Sequence, residues 1–368
     1  MRLAVDARKL TDYGIGTYLS HLLAGLAASP ELSLTVIARA GHEDRLHELT
    51  PGARLLTCGA AGYSLAEQVQ LPALLARERL DLVHLPHYTV PMVMPCRFVV
   101  TVHDVIHLYY PPSRRPMWAL SYLRVVLRSA LRRARCVITP SRASRRDLVK
   151  LFGADPRRLK VVPEGVDREF GVRPPTDRLE ALKERYRLRP PLVLVVGNDK
   201  PHKNLDFVLR AYHHAVRRHR IPGQLVLVGA GDRLRERAAR LGLGDRVRCL
   251  GRVPGADLQA VYHMAAVLLH VSLYEGFGLP ILEAMGAGLP VITSNLGAMR
   301  ELGEGAARLV NPLDLEEVAA ALERVLVDDP LRRRMVEAGR RRAEKMTWGT
   351  MVEQTVAAYR LAAGEERP

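Results

Sequence analysis

The chain has 368 residues, 48% of them hydrophobic, enough for two α/β domains with separate cores. A net charge of +16 admits nucleic acid, an anionic membrane surface or an acidic substrate as partner, and cannot choose among them. No apolar run reaches the roughly 18 to 20 residues of a membrane-spanning helix, and Cys58, Cys96, Cys136 and Cys249 form no C-x-x-C pair, which argues against a zinc site or a disulfide framework.

A cytoplasmic protein with buried free thiols is the expectation, with "MRLAVDARKL" read as a first strand rather than a cleavable signal. Apolar runs then alternate with helical patterns, the mark of parallel sheets flanked by helices. A first series of strands is predicted in "RLAVDA", "LSLTVIARA", "LDLVHL", "RFVVTVHD" and "CVITPS". After the first of them, Gly14, Ile15 and Gly16 stand just before a helix, where backbone N–H groups and the helix dipole favour an anion, although glycines in such turns are often only conformational. The fourth ends in His103 and Asp104, and an imidazole beside a carboxylate can be held in one tautomer and aimed at a ligand.

Residues 117–136 read as a basic amphipathic helix. Trp118, Leu120, Tyr122, Leu123, Val126, Leu127 and Leu131 recur at helical spacing beside Arg124, Arg128, Arg132, Arg133 and Arg135. Such a helix can lie on anionic lipid headgroups, but packing the apolar face into a core is the commoner fate. Elsewhere the 55 basic residues, only seven of them lysines, are scattered as a compositional bias would leave them.

A stretch rich in proline and charge, "REFGVRPPTDRLEALKERYRLRPP", marks a boundary at about residue 172. Strands resume in "PPLVLVVGND", "QLVLVGAGD", "RVRCLGRV", "AVLLHVS", "LPVITS" and "AARLVN", and helical stretches follow with a break before Trp348. In open α/β sheets ligands bind beyond the carboxyl ends of strands. In that position "VVGNDKPHKN" offers Lys203, a point charge at a loop-to-helix junction suited to a diphosphate. "LVGAGDRLRE" lacks the third glycine of a dinucleotide fingerprint, Leu234 standing in its place, and is read as a turn.

"LYEGFGLPILEAMGAGLPVI" sets Glu275 and Glu283 eight positions apart around Gly276, Gly278 and Pro280. Pro280 suits the first turn of a helix running through Ala287, and the glycines let backbone N–H groups approach a ligand closely. Glu283, placed in the first helical turn, can accept from a vicinal diol such as a ribose, while Glu275 approaches from the loop. Singly, each acid is explained as well by the helix dipole or by solvent; together with the glycines and proline they point to a ligand cradle.

This loop resembles the E-x7-E signature of retaining nucleotide-sugar glycosyltransferases of family 4. "GIGTY", "TVHDVIHLYYP", "VITPSRASRRDL", "VVPEGVD", "VGNDKPHKN", "LGRV" and "MTWGTMVEQTVAAY" look like family elements in family order over nearly the whole chain. The resemblance implies the GT-B fold, two Rossmann-like domains facing across a cleft, with an acceptor-binding domain at 1–172 completed by a helix in 347–368 that crosses back, and a donor-binding domain at 173–346. It implies that Lys203 meets the donor diphosphate, Glu283 the ribose, Glu275 with the backbone of Phe277, Gly278 and Leu279 the donor sugar and phosphate, and His103 the sugar from the opposite domain. His103 and Glu275 are the implied catalytic residues, Arg252 and Val253 are implied donor-binding residues after the "LG" that leads to nucleobase-binding backbone in similar enzymes, and the loop of Gly14, Ile15 and Gly16, with Asp104, serves phosphate or acceptor.

Two departures stand out. Asn198 replaces an arginine usual in the family, which leaves one diphosphate charge to Lys200 or another group, and Glu164 replaces a usual asparagine. The implied chemistry is transfer with retention, the nucleoside diphosphate leaving and an oxocarbenium-like transition state stabilised electrostatically. No D-x-D triplet occurs, so neither metal nor other cofactor is expected. The neighbourhood of His103 looks most like bacterial members that transfer mannose in making surface polysaccharides, which makes GDP-mannose the first donor candidate and UDP-sugars the next. A lipid-linked or glycan acceptor at the cytoplasmic face of the plasma membrane is implied, with the basic helix as a candidate lipid contact. The rival readings are another nucleotide-sugar enzyme, an epimerase or phosphorylase, and a nucleic-acid-binding protein. The last is disfavoured by an aromatic content of 5% and the lack of a recognisable module.

Overall fold

The computed structural model describes residues 1–62, 64–111 and 117–364. The chain forms two compact units, Met1–Glu164 with Trp348–Pro368, and Gly165–Thr347. In the first, strands β1 (Arg2–Asp6), β2 (Ser33–Ala38), β3 (Arg54–Thr57), β4 (Leu82–Leu85), β5 (Phe98–Thr101), β6 (Cys136–Thr139) and β7 (Leu159–Val161) form one sheet in the order β3-β2-β1-β4-β5-β6-β7. In the second, β8 (Leu192–Val196), β9 (Gln224–Val228), β10 (Val247–Gly251), β11 (Val267–His270), β12 (Val291–Ser294) and β13 (Arg308–Val310) are ordered β10-β9-β8-β11-β12-β13. Every strand pair is parallel.

The central strands read as unbroken apolar runs because both faces of each sheet are covered. In β8, Val193 and Val195 enter one core with Leu225, Leu227 and the helices Leu205–Arg218 and Leu315–Val327. Leu192 and Leu194, on the alternate face, enter another with Val226, Leu268 and the helix Leu279–Gly286. Strand order reverses between β1 and β4, and again between β8 and β11, and such reversals open a crevice at the carboxyl edge.

All eleven strands expected from the sequence are present, and two more, β3 and β7, were missed. Both missed strands are edges, three or four residues long and partly exposed, so neither carries an apolar run. The boundary lies at 164/165 rather than 172. Residues 165–172 belong with the second unit because the Val166 N–H donates to the Met346 carbonyl at 3.1 Å and the Phe170 ring packs edge-on against Tyr262, centroids 5.4 Å apart.

The last helix, Trp348–Ala363, is part of the first unit, as expected of the returning C-terminal segment. It packs against the helix Tyr13–Ala27, where a Cβ on Gly25 would stand 2.6 Å from a Val352 methyl, and Trp348 stacks on His21 at 4.3 Å. Residues 365–368 of the expected domain lie outside those described.

The basic helix spans Met117–Arg133. Leu123, Val126, Leu127, Ala130 and Leu131 are buried in the first unit, while Arg124, Arg128 and Arg132 are exposed. Arg133 is held instead by Ser129 and the Pro91 carbonyl, and lies over the Phe98 ring. The Trp118 side chain lies outside those described. All four cysteines are free thiols, and among the described residues no helix is long and apolar enough to cross a membrane.

Candidate active site

The second unit's polar cluster forms at the strand-order reversal between β8 and β11. After β8 the chain makes a 3-10 turn, Pro201–Lys203, and enters a helix at Asn204, which takes a left-handed conformation at φ 60°. The Asn204 amide donates to the carbonyls of Val271 (3.1 Å) and Pro312 (2.9 Å), and the Leu273 N–H donates to the His202 carbonyl at 2.7 Å. These bonds tie the loop after β8 to the loop after β11.

Lys203 Nζ then sits 2.7 Å from Glu275 Oε1, and His270 Nε2, at the end of β11, lies 3.3 Å from the same oxygen. Burial pushes the Glu275 carboxyl up, but the Lys203 charge and the His270 hydrogen bond outweigh it and hold the group well below the usual range. His270 is shifted down by burial, against the pull of Glu275. The result is a fixed anion clamped by a cation in a half-dry loop.

Glu283 is different. The helix Leu279–Gly286 starts after Gly278, whose φ of 114° is open to glycine and costly for other residues. That start puts Glu283 fifth, one residue beyond the first-turn position expected from Pro280. Its Oε2 accepts from the Tyr262 hydroxyl at 2.6 Å. Burial raises the Glu283 carboxyl to about 7; the Tyr262 bond opposes this, the Asp167 charge adds to it, and the Lys203 charge pulls it back down. One acid is thus permanently ionised and the other poised near neutrality.

Phe277 is buried among Ile281 and Leu282; Pro280 has no N–H and the Ile281 N–H donates to the Gly278 carbonyl at 2.9 Å, so of the first turn's amides the Leu279 N–H is the one that helix geometry leaves without a partner inside the helix. Asn198 follows β8, and its Oδ1 is buried with no donor among the described residues. Lys200 is exposed, at the entrance to the 3-10 turn. Arg252 is exposed and Val253 buried just after β10. The loops after β8 and β9 touch there, a Cβ on Gly229 meeting the Gly197 carbonyl oxygen at 2.9 Å. Leu234, on the helix Asp232–Arg240, is fully buried, consistent with a turn rather than a dinucleotide loop before it.

In the first unit, His103 has a carboxylate partner, but it is Glu164 and not the adjacent Asp104. His103 Nδ1 lies 3.0 Å from Glu164 Oε1, both side chains largely buried, and His103 Nε2 is buried with no partner among the described residues. Asp104 instead accepts from the Ile106 N–H at 2.9 Å, because a carboxylate two residues before a helix turns back onto that helix's free amides. Tyr18 stands edge-on to the His103 ring, centroids 4.8 Å apart. Its hydroxyl meets Thr101 at 3.3 Å, Thr101 meets His84 Nε2 at 2.8 Å, and Tyr359 closes the line on His84 Nδ1 at 2.6 Å.

Gly14, Ile15 and Gly16 lie inside the first turn of the helix Tyr13–Ala27 rather than in a loop before it. Gly16 has a packing reason to be glycine: a Cβ there would stand 2.2 Å from the Leu10 carbonyl oxygen.

Sequence reasoning missed His270, Tyr262 and Tyr18, and noticed Glu164 only as a departure. His270 ends the apolar run of β11 as His103 follows that of β5, so the same signal was available. Nothing in the spacing of Tyr262 or Glu164 announces their partners.

Two doubly covered parallel sheets, one with an acid, glycine and proline loop opening a helix at its strand-order reversal, define the class of GT-B glycosyltransferase scaffolds. Models of two families cover most of the chain, "Glycosyltransferase Family 4" at residues 13–170 and "Glycosyl transferases group 1" at residues 180–342. The chain is 30% identical over 285 residues to O-antigen chain mannosyltransferase B of Escherichia coli, covering 76% of this chain and 74% of that protein. It is 36% identical to the MMP alpha-(1->4)-mannosyltransferase of Mycolicibacterium hassiacum over 61% of this chain and 54% of that one. Among solved structures, sucrose-phosphate synthase from Thermosynechococcus elongatus superposes with a TM-score of 0.81 at 22% identity over 100% of both chains. Anabaena HepE in complex with UDP and glucose does so at 0.77 and 20% identity, over 98% of this chain and 99% of that one. The protein belongs to glycosyltransferase family 4.

Proposed function

We propose that the protein is a retaining, metal-independent hexosyltransferase that moves mannose from GDP-mannose to a hydroxyl of a glycan or lipid-linked acceptor in cell-surface polysaccharide synthesis. The observation that carries this is the Lys203, Glu275 and Glu283 cluster, with one acid ionised by its clamp and the other near neutrality on Tyr262. The mannosyltransferase relatives support the sugar.

Lys203 and the N-terminus of the helix Leu279–Gly286 take the diphosphate, Lys203 supplying the charge that a metal supplies in other sites. Glu275 uses Oε1 for its clamp and offers Oε2 to a sugar hydroxyl. Glu283 accepts from the ribose diol in its ionised form. Asn198 Oδ1, buried and unpaired, takes a donor group of the same ligand, a role that needs no positive charge. On the first unit His103, with Glu164 as its positioning residue, offers its buried, unpartnered Nε2 to a substrate hydroxyl. Reaction proceeds at one face of the anomeric carbon: the bond to the diphosphate oxygen breaks, the acceptor oxygen forms the new bond, and its proton passes to the departing phosphate.

The acceptor is proposed to be presented at an anionic membrane. In the first unit Leu65, Val69, Met92, Val93 and Val125 are exposed large apolar side chains, and Gln68 joins their three segments by bonds to Tyr122 and to the Met92 N–H. Exposed Arg124 and Arg128 border them, the combination of apolar and cationic groups that suits a lipid interface.

Calorimetric titration of GDP, UDP and ADP against wild type and Glu283→Ala fixes the donor base. GDP binding that the variant loses supports the reading, and binding of UDP alone moves the donor to a UDP-sugar. No binding of any of the three at millimolar concentration defeats it. Product analysis by anomeric NMR, with and without a chelator, tests retention and metal independence.

A further inference from the structure

On the second unit, the helix Leu205–Arg218 packs along the helix Leu315–Val327. His214 lies on the first helix and His219 just past its end, while Glu316 and Glu323 lie seven residues apart on one face of the second. His214 Nε2 is 2.7 Å from Glu316 Oε2, His219 Nε2 is 3.0 Å from Glu316 Oε1, and His219 Nδ1 is 2.6 Å from Glu323 Oε2. One nitrogen of each imidazole and a Glu316 oxygen all fall within 4.8 Å of one another.

We infer that His214, His219 and Glu316 form a binding site for a divalent transition metal of the zinc type. Two imidazole nitrogens and a carboxylate oxygen are a donor set that such ions take readily. Glu323 completes the arrangement: by accepting from His219 Nδ1–H it sets the tautomer that directs Nε2 at Glu316, the outer-carboxylate arrangement found behind metal-bound histidines. Metal–ligand bonds of about 2.0–2.1 Å in a tetrahedron place donor atoms about 3.3 Å apart. The separations of 2.7 and 3.0 Å, which run to different Glu316 oxygens, need to open by a few tenths of an ångström, while the widest separation among the three donor atoms, within 4.8 Å, needs to close by up to about 1.5 Å. Glu316, with its side chain 61% exposed, and His214, 36% exposed, are free to turn that far. Where each imidazole donates an Nε2–H to Glu316, the ion takes the place of both protons: two protons leave to solvent as one divalent ion binds, so charge balances.

The site is separate from the Lys203 cluster, because it lies at the opposite end of a 14-residue helix, about 20 Å along its axis. Its effect is to clip two helices of the second unit together, and it does not depend on which sugar nucleotide is bound.

The test is a calorimetric titration of chelator-stripped, full-length protein with zinc chloride near neutral pH, together with thermal melts. One ion per chain with a Kd on the order of 10 μM or tighter is expected, with a rise in melting temperature. His214→Ala and His219→Ala each weaken binding at least tenfold and abolish the thermal rise, and Glu323→Gln weakens it less. His214 is partly exposed, so its alanine variant keeps the fold, and cobalt(II) gives four-coordinate visible bands in wild type that His219→Ala lacks. Wild type that takes up no zinc at about 100 μM, or variants that bind zinc as wild type does, overturn the inference.

Discussion

Each unit has a polar cluster at its sheet, and the two clusters are of opposite kind. In the second, Lys203, Glu275 and Glu283 bring charge to the mouth of the sheet, where two loops meet. In the first, Tyr359, His84, Thr101 and Tyr18 form a neutral line of hydrogen bonds beneath His103. Burial holds His84 down to about 3, so it stays uncharged at any working pH. Ions can be kept half-dry only if paired, and a paired ion retains oxygens or protons for a ligand; neutral groups can be buried outright and serve to hold geometry. The difference separates groups that would bind from groups that would position.

The sharpest way to break that comparison is Glu275→Ala. Removing the clamped anion strips Lys203 of its partner, and we expect transfer activity to fall by about 10²–10³ and stability of the second unit by about 3 kcal/mol in denaturant titrations. Adding Lys203→Met should recover part of the stability and none of the activity; activity surviving Glu275→Ala would mean that the cluster is only structural. Glu164→Gln tests positioning in the first unit. Its expected loss is on the order of 10–100-fold in kcat with KM little changed, and nitrogen NMR of His103 should show a changed tautomer balance. An unchanged spectrum would remove Glu164 from the site.

Glu283 offers a pH test. In the folded chain its carboxyl holds a proton up to about 7, whereas the unfolded chain releases it near the ordinary value of 4.5. Its stabilising contribution is therefore complete below that ordinary value and is lost as pH rises through about 7, on the order of 3 kcal/mol. Wild type should lose stability over that interval relative to Glu283→Gln, while its nucleotide affinity strengthens with rising pH and that of Glu283→Gln stays flat. Parallel stability curves would deny the raised carboxyl.

Tyr359→Phe, which leaves His84 Nδ1 without its partner, should cost about 1–2 kcal/mol in thermal or denaturant melts of the first unit and leave nucleotide binding unchanged. The smallest effect on the fold is expected from Arg124→Gln with Arg128→Gln. Stability should move by no more than about 0.5 kcal/mol, while binding to anionic vesicles should weaken by about 1 kcal/mol per residue. Unaltered vesicle binding would leave the basic helix with only its packing role.

The sequence by itself determined the two sheets, since fully covered parallel strands must be apolar on both faces, and only the short edge strands β3 and β7 escaped that rule. It also determined the second unit's cluster in outline, because Glu275, Gly278, Pro280 and Glu283 lie within nine residues and their placement follows from one helix start. Tertiary structure alone decided the partners. His103 pairs with Glu164 rather than its neighbour Asp104, Glu283 with Tyr262, and His214 and His219 with acids about a hundred residues away. Local periodicity reports which face of an element is dry, but a buried polar group is satisfied by whatever donor or acceptor packing brings within about 3 Å, and that is set by the crossing of elements distant in the chain.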